Sequence, residues 1–82
     1  MAKKKLKEPV RLNRLKIVLV EKNISQTELA EMVNVDRNTI SRICNNRNQP
    51  SLQLLFKIAV TLNVEVKELL SSLTDVKDFY RK

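Results

Sequence analysis

Glycine is absent from this sequence of 82 residues, as are histidine and tryptophan; cysteine occurs once and proline twice. Each absence removes a class of chemistry. Without glycine there is no glycine-rich loop of the kind that cradles nucleotide phosphates. Without histidine there is no histidine-based catalytic triad and no zinc site of ordinary composition, and one cysteine closes no intramolecular disulfide. A single free thiol fits a reducing interior. The longest uninterrupted apolar run is four residues, 17–20, far below the ~20 needed to span a bilayer. The basic N-terminus is followed by no apolar segment of signal type. The expectation is a soluble, cytoplasmic protein that is not an enzyme and takes no cofactor or metal. The missing glycine also poses a question, because a compact fold with several tight joints ordinarily places glycine at them.

What is present is basic charge and helical spacing. Sixteen lysines and arginines stand against nine acids, a formal charge of +7, and hydrophobic residues make up 43% of the chain. That length suits one small core. The charge is uneven. Residues 1–16 carry seven basic groups and one acid, residues 17–36 carry one base and four acids, and residues 37–64 contain Arg37, Arg42, Arg47 and Lys57 with no acid. Two basic zones separated by an acidic one point to a charged binding face, although a merely solvated surface has a similar composition.

No segment keeps a two-residue alternation, whereas three- and four-residue spacing recurs throughout. Leu12, Leu15, Val18 and Leu19 predict a first helix over residues 9–22, with Pro9 tolerated in its first turn. Ser25 and Glu28 form a capping box, with Ile24 and Leu29 placed as a hydrophobic staple. They open a second helix that turns Leu29, Ala30 and Val33 inward. Asp36 caps a third, with Ile40 and Ile43 on its buried side. Ser51 caps a fourth, with Leu52, Leu55, Ile58, Ala59 and Leu62 facing the core. A short fifth begins near Glu65 and buries Leu69 and Leu70. The predicted class is all-α, with five short helices.

Only Asn34, Val35 and the cap Asp36 separate the second and third helices, so the two must cross steeply, as in a helix-turn-helix. At this point the sequence resembles the lambda-repressor/Cro-like DNA-binding domains, also called the xenobiotic-response-element type. The segment QTELAEMVNVDRNTISRICN (26–45) matches that family's motif at Gln26, Leu29, Ala30, Val33, Val35, Ile40 and Ile43. The likeness continues through PSLQLLFKIAVTLNV (50–64) and ELL (68–70), and covers residues 12–71. The family usually has glycine at the ends of its helices; here Asn23, Asn34, Asn46 and Asn63 stand at those four places. Asparagine is the non-glycine residue that best tolerates the left-handed conformation of a helix C′ position. Each of the four is therefore expected to be left-handed.

Projecting the third helix at 100° per residue with Ile40 and Ile43 inward puts Asn38, Arg42 and Asn45 outward, with Ser41 beside them. Arg37 occupies the first turn, the end that enters a major groove. Asparagine pairs bidentately with adenine and arginine with guanine, and serine is permissive. The resemblance implies base contacts at the same positions, Arg37, Asn38, Ser41 and Arg42. Gln26, at the start of the second helix, resembles the family glutamine that contacts a phosphate; Thr27 and Thr39 are further phosphate donors. The loop Asn46, Arg47, Asn48 and Gln49, with Asn45 before it, carries side-chain donors ahead of the N-terminus of the fourth helix and reads as a clamp on the DNA backbone.

The expected domain organisation is a basic arm (1–8), a helix-turn-helix domain (9–71) and a C-terminal extension (72–82). Lys3, Lys4, Lys5 and Lys7 read either as an arm around the duplex or as a solubilising tail. Cys44 falls on the inward side of the third helix. Val10, Ile17 and Val20 make a second apolar stripe on the first helix, and Leu69, Leu73, Val76 and Tyr80 keep helical spacing beyond the fifth. A helix over residues 72–80 is thus expected to cover that stripe or a partner's surface. The implied partner is double-stranded DNA, bound through its major groove by a homodimer that acts as a transcriptional repressor on a palindromic operator. An antitoxin-type protein-interaction module and a restriction–modification controller protein are the alternatives.

Overall fold

Among residues 10–81, which the computed structural model describes, the chain forms α1 (Leu15–Lys22), α2 (Gln26–Val33), α3 (Arg37–Cys44), α4 (Leu52–Leu62), a 3₁₀ segment (Val66–Leu69) and α5 (Leu73–Tyr80). Its only extended pairing there is an isolated antiparallel bridge between Asn13 and Leu70. Most helix starts are set by side chains that accept the free N–H groups of a first turn. The Ser25 hydroxyl accepts from the Glu28 N–H at 3.0 Å while the Glu28 carboxylate accepts from the Ser25 N–H at 2.8 Å. The Asp36 carboxylate accepts from the Thr39 N–H, and the Ser51 hydroxyl from the Leu54 N–H. The caps expected of Ser25, Asp36 and Ser51 are thus all made.

The ends of α1 to α4 follow one rule. Asn23, Asn34, Asn46 and Asn63 have φ of 58, 57, 59 and 57°, and no other described residue has positive φ. Behind three of them the chain closes in the same way. The N–H of Ile24 bonds to the Leu19 carbonyl, that of Val35 to Ala30 and that of Val64 to Ala59. Each of those apolar residues then packs on the core. This is the Schellman arrangement with its hydrophobic contact. It answers the glycine question: asparagine supplies the left-handed residue at the four joints from α1 to the 3₁₀ segment, and the joint before α5 is extended.

The core gathers Leu15, Val18 and Leu19 from α1; Leu29, Ala30 and Val33 from α2; Ile40, Ile43 and Cys44 from α3; Leu55, Ile58, Ala59 and Leu62 from α4; and Leu69. Three expectations need correction. The first helix starts at Leu15 rather than near residue 9, because the preceding backbone is engaged elsewhere. The Arg14 N–H donates to the Leu69 carbonyl, the Ser71 N–H to the Leu12 carbonyl, and the Leu15 N–H to the Asn13 Oδ1. The segment near Glu65 is a 3₁₀ turn that buries Leu69 but leaves Leu70 exposed. Leu52, in the first turn of α4, is 69% exposed instead of facing the core.

The extension does form a helix. The Ser72 hydroxyl accepts from the Asp75 N–H and the Asp75 carboxylate from the Ser72 N–H. α5 has no buried residue, however, and leaves Ile17 and Val20 largely exposed. The stripe on α1 is therefore not covered by the chain's own C-terminal helix. The lysine cluster at 3–7 lies outside the described residues.

Candidate nucleic-acid interface

α3 is held by its apolar side. Ile40, Ile43 and Cys44 are buried, and α3 packs mainly on α2, with further contact to α1. Eight residues make about two turns, so fixing that side determines what faces outward. Arg37, Asn38, Arg42 and Asn45 are exposed, with Ser41 and Thr39 half-buried at the margins. Of the four residues expected to read bases, Asn38 and Arg42 stand on the outer side of α3, Ser41 lies at its margin and Arg37 is exposed off that line in the first turn. No acid occurs between Asp36 and Glu65, and Asp36 itself is occupied as the cap of α3. The outward surface of α3 and of the loop behind it consequently carries only positive and neutral polar groups.

Gln26 is half-buried at the first position of α2, with Thr27 exposed beside it. After Asn45 the chain makes its fourth left-handed joint, at Asn46, and here the pattern changes. The Arg47 N–H closes back on the Arg42 carbonyl at 2.9 Å, as in the other joints, and the Asn48 N–H reaches the same carbonyl at 3.3 Å. The residue after the left-handed asparagine is arginine rather than an apolar residue. Arg47 and Asn48 thus project into solvent as a short tip.

Asn46 departs from expectation. Its loop position predicts a phosphate contact, yet its side chain is only 4% exposed and is spent inside the fold. Its Oδ1 accepts from the N–H groups of Leu12 (2.8 Å) and Asn13 (2.9 Å) and from the Gln49 Nε2 (3.2 Å). Its Nδ2 donates to the Asn13 carbonyl at 3.1 Å. The Asn46 side chain is therefore buried and bonded inside the fold rather than presented to a phosphate.

Its main partner, Asn13, carries no signal in the sequence. The Asn13 Nδ2 donates to the Ile43 carbonyl and to the Gln49 Oε1, both at 2.9 Å. The contact with Asn46 joins residues 33 apart in the chain. Neither helical period nor capping pattern encodes such a pairing. Cys44 lies beneath, where burial pushes its thiol up to about 11 despite the opposing charge of Lys16. A thiol held protonated at neutral pH is a packing group rather than a nucleophile. No cluster able to hold a metal ion occurs among the described residues, and no helix there is long and apolar enough to cross a membrane.

A family model described as helix-turn-helix matches residues 15–69. An uncharacterised helix-turn-helix-type transcriptional regulator of Methanocaldococcus jannaschii is 37% identical over 57 residues, 70% of this chain and 86% of that protein. The immunity repressor protein of Bacillus phage phi105 is 31% identical over 65 residues, 79% of this chain but 45% of the phage protein. Among solved structures, a provisionally named DNA-binding protein of Bacteroides fragilis superposes with a TM-score of 0.71 at 48% identity, covering 73% of this chain and 97% of that one.

Proposed function

The chain belongs to the helix-turn-helix family of DNA-binding transcriptional regulators, of the lambda-repressor/Cro type, and from that premise we propose that it occupies a palindromic operator as a homodimer and represses transcription. The observation that carries this reading is the outward side of α3. Asn38 and Arg42 stand away from the buried Ile40 and Ile43, Ser41 is half-buried beside them, and Arg37 is exposed in the first turn. These four read base edges in the major groove. Gln26, Thr27, Thr39, Asn45, Arg47 and Asn48 take the flanking phosphates, which set register and affinity rather than sequence preference. The place of action is the cytoplasm. The phage relative's name, an immunity repressor, supports repression as the output.

Dimer formation draws on the exposed apolar residues. Leu52, Phe56 and Val60 recur every four residues along α4 and are 69, 53 and 80% exposed. On α5, Leu73, Phe79 and Tyr80 are also exposed, at 78, 47 and 60%. Half-sites about one turn, ~34 Å, apart suit a dimer that presents two such recognition helices. The same apolar residues favour the second reading, in which the chain chiefly holds another protein and DNA binding is secondary. Selection of bound sites from random duplexes separates the two. A repressor of this design returns a palindrome, and Arg42→Ala then costs ~1–3 kcal/mol and relaxes one position in each half-site. Recovery of no preferred sequence would sink the proposal.

A further inference from the structure

The amide cluster of Asn13, Asn46 and Gln49 sits directly under the tip that carries Arg47 and Asn48. It ties both ends of that tip to one point. Asn46, which precedes the tip, and Gln49, which follows it, each bond to Asn13, and the two also bond to each other. The tip's own N–H groups are taken by the Arg42 carbonyl. The Arg47 and Asn48 backbones are therefore held from beneath and from both sides, while their side chains stay exposed. No buried side-chain polar atom among the described residues lacks a partner. A polar cluster satisfied in this way rigidifies what it holds.

We propose that Asn13, Asn46 and Gln49 are positioning residues for DNA binding: they hold the loop in its bound shape before DNA arrives, so that Arg47 and Asn48 meet the phosphate backbone without a loop having to order. This rests on the DNA-binding reading and adds to it a group that touches no DNA. A pre-shaped loop avoids the ordering cost that a mobile loop incurs on association. Because the contact is with phosphate, losing the shape weakens binding to every sequence alike. It leaves the base preference set by α3 intact.

Gln49 is the position at which to test this, since its residue is exposed overall and its amide makes two bonds, to Asn13 and Asn46. Gln49→Met keeps the length and removes both. The full chain and this variant are titrated with a selected duplex and with a random one, each also in an Arg47→Ala/Asn48→Ala background. The expected result is a loss of roughly five- to tenfold for both duplexes, the scale of ordering one or two long side chains, and no loss in the double-alanine background. Amide hydrogen exchange at Arg47 and Asn48 should quicken in the variant. An equal loss in both backgrounds would show general damage and overturn the assignment. So would unchanged affinity with unchanged exchange, and Gln49→Leu serves in the same way if the methionine variant does not fold. A wild-type chain that binds neither duplex at low salt overturns the DNA-binding reading itself, which is a different outcome from a wild type and a variant that bind equally.

Discussion

Replacing each left-handed asparagine by glycine should separate two uses of one residue. At Asn34, with φ of 57°, the side chain is exposed and outside any buried cluster. Glycine relieves the left-handed cost of about 1 kcal/mol but adds a similar amount of unfolded-chain entropy. The balance is near zero, and the melting temperature should stay put or rise slightly. At Asn46, with φ of 59°, the same relief applies, but the side chain also takes three donors and gives one. Glycine strips the partner from the N–H groups of Leu12 and Asn13, the second of them buried. Each orphaned buried group costs ~1–3 kcal/mol, and water entering the space recovers part of that. A net loss of ~2–4 kcal/mol follows, equal to roughly 10–25 °C for a domain of this size. Thermal and urea melts followed by circular dichroism measure both variants. If Asn46→Gly melts with Asn34→Gly, the amide cluster contributes nothing to stability and the argument fails.

Other outcomes test the remaining steps. DNA affinity should fall by roughly 10³-fold or more between 50 and 200 mM salt, because several phosphates are neutralised per dimer; a flat response measured by anisotropy would count against the interface. Deleting residues 73–82 removes the exposed Leu73, Phe79 and Tyr80, and sedimentation should then report a monomer in place of the proposed dimer. An unchanged mass would remove α5 from the dimer contact. Burial pushes the Cys44 thiol up to about 11 from its ordinary value of 9.0. Between those values the unfolded chain binds fewer protons than the folded one, so stability falls as pH rises through that window. Below pH 9 the thiol should have no effect on the pH dependence, and native alkylation at pH 8 should be slow. Rapid alkylation without unfolding would contradict its burial.

Local signals were legible and distant ones were not. Ser25, Asp36 and Ser51 announce helix starts because a cap is a contact between residues three apart, and all three caps are made. The inward lines of α2 and α3 follow from helical spacing alone, and the left-handed joints from the asparagines at the helix ends. Two of the errors, at residue 12 and Asn46, fall where the decisive partner is remote. Leu12 has helical spacing with Leu15, yet residues 12 and 14 pair their backbones with Ser71 and Leu69, so α1 cannot begin there. Leu70 has an apolar side chain and the right spacing, but the tight 3₁₀ turn rotates it outward. Asn46 reads as a loop donor because nothing nearby shows that Asn13 lies against it.

The fourth joint brings these two kinds of information together. At Asn23, Asn34 and Asn63 the left-handed residue is followed by Ile24, Val35 and Val64, which draw the chain into the core. At Asn46 the same backbone closure is followed by Arg47, which cannot be buried without a partner. The chain must leave the core there, and the hydrophobic anchor that steadies the other joints is lost. The buried amides of Asn13 and Asn46 stand in its place, supplying by hydrogen bonds what the apolar residue supplies elsewhere. Glycine at position 46 would permit the turn but could not make those bonds. The absence of glycine and the display of an arginine beside α3 are therefore linked at this joint: the side chain that glycine lacks is the one that holds the exposed tip.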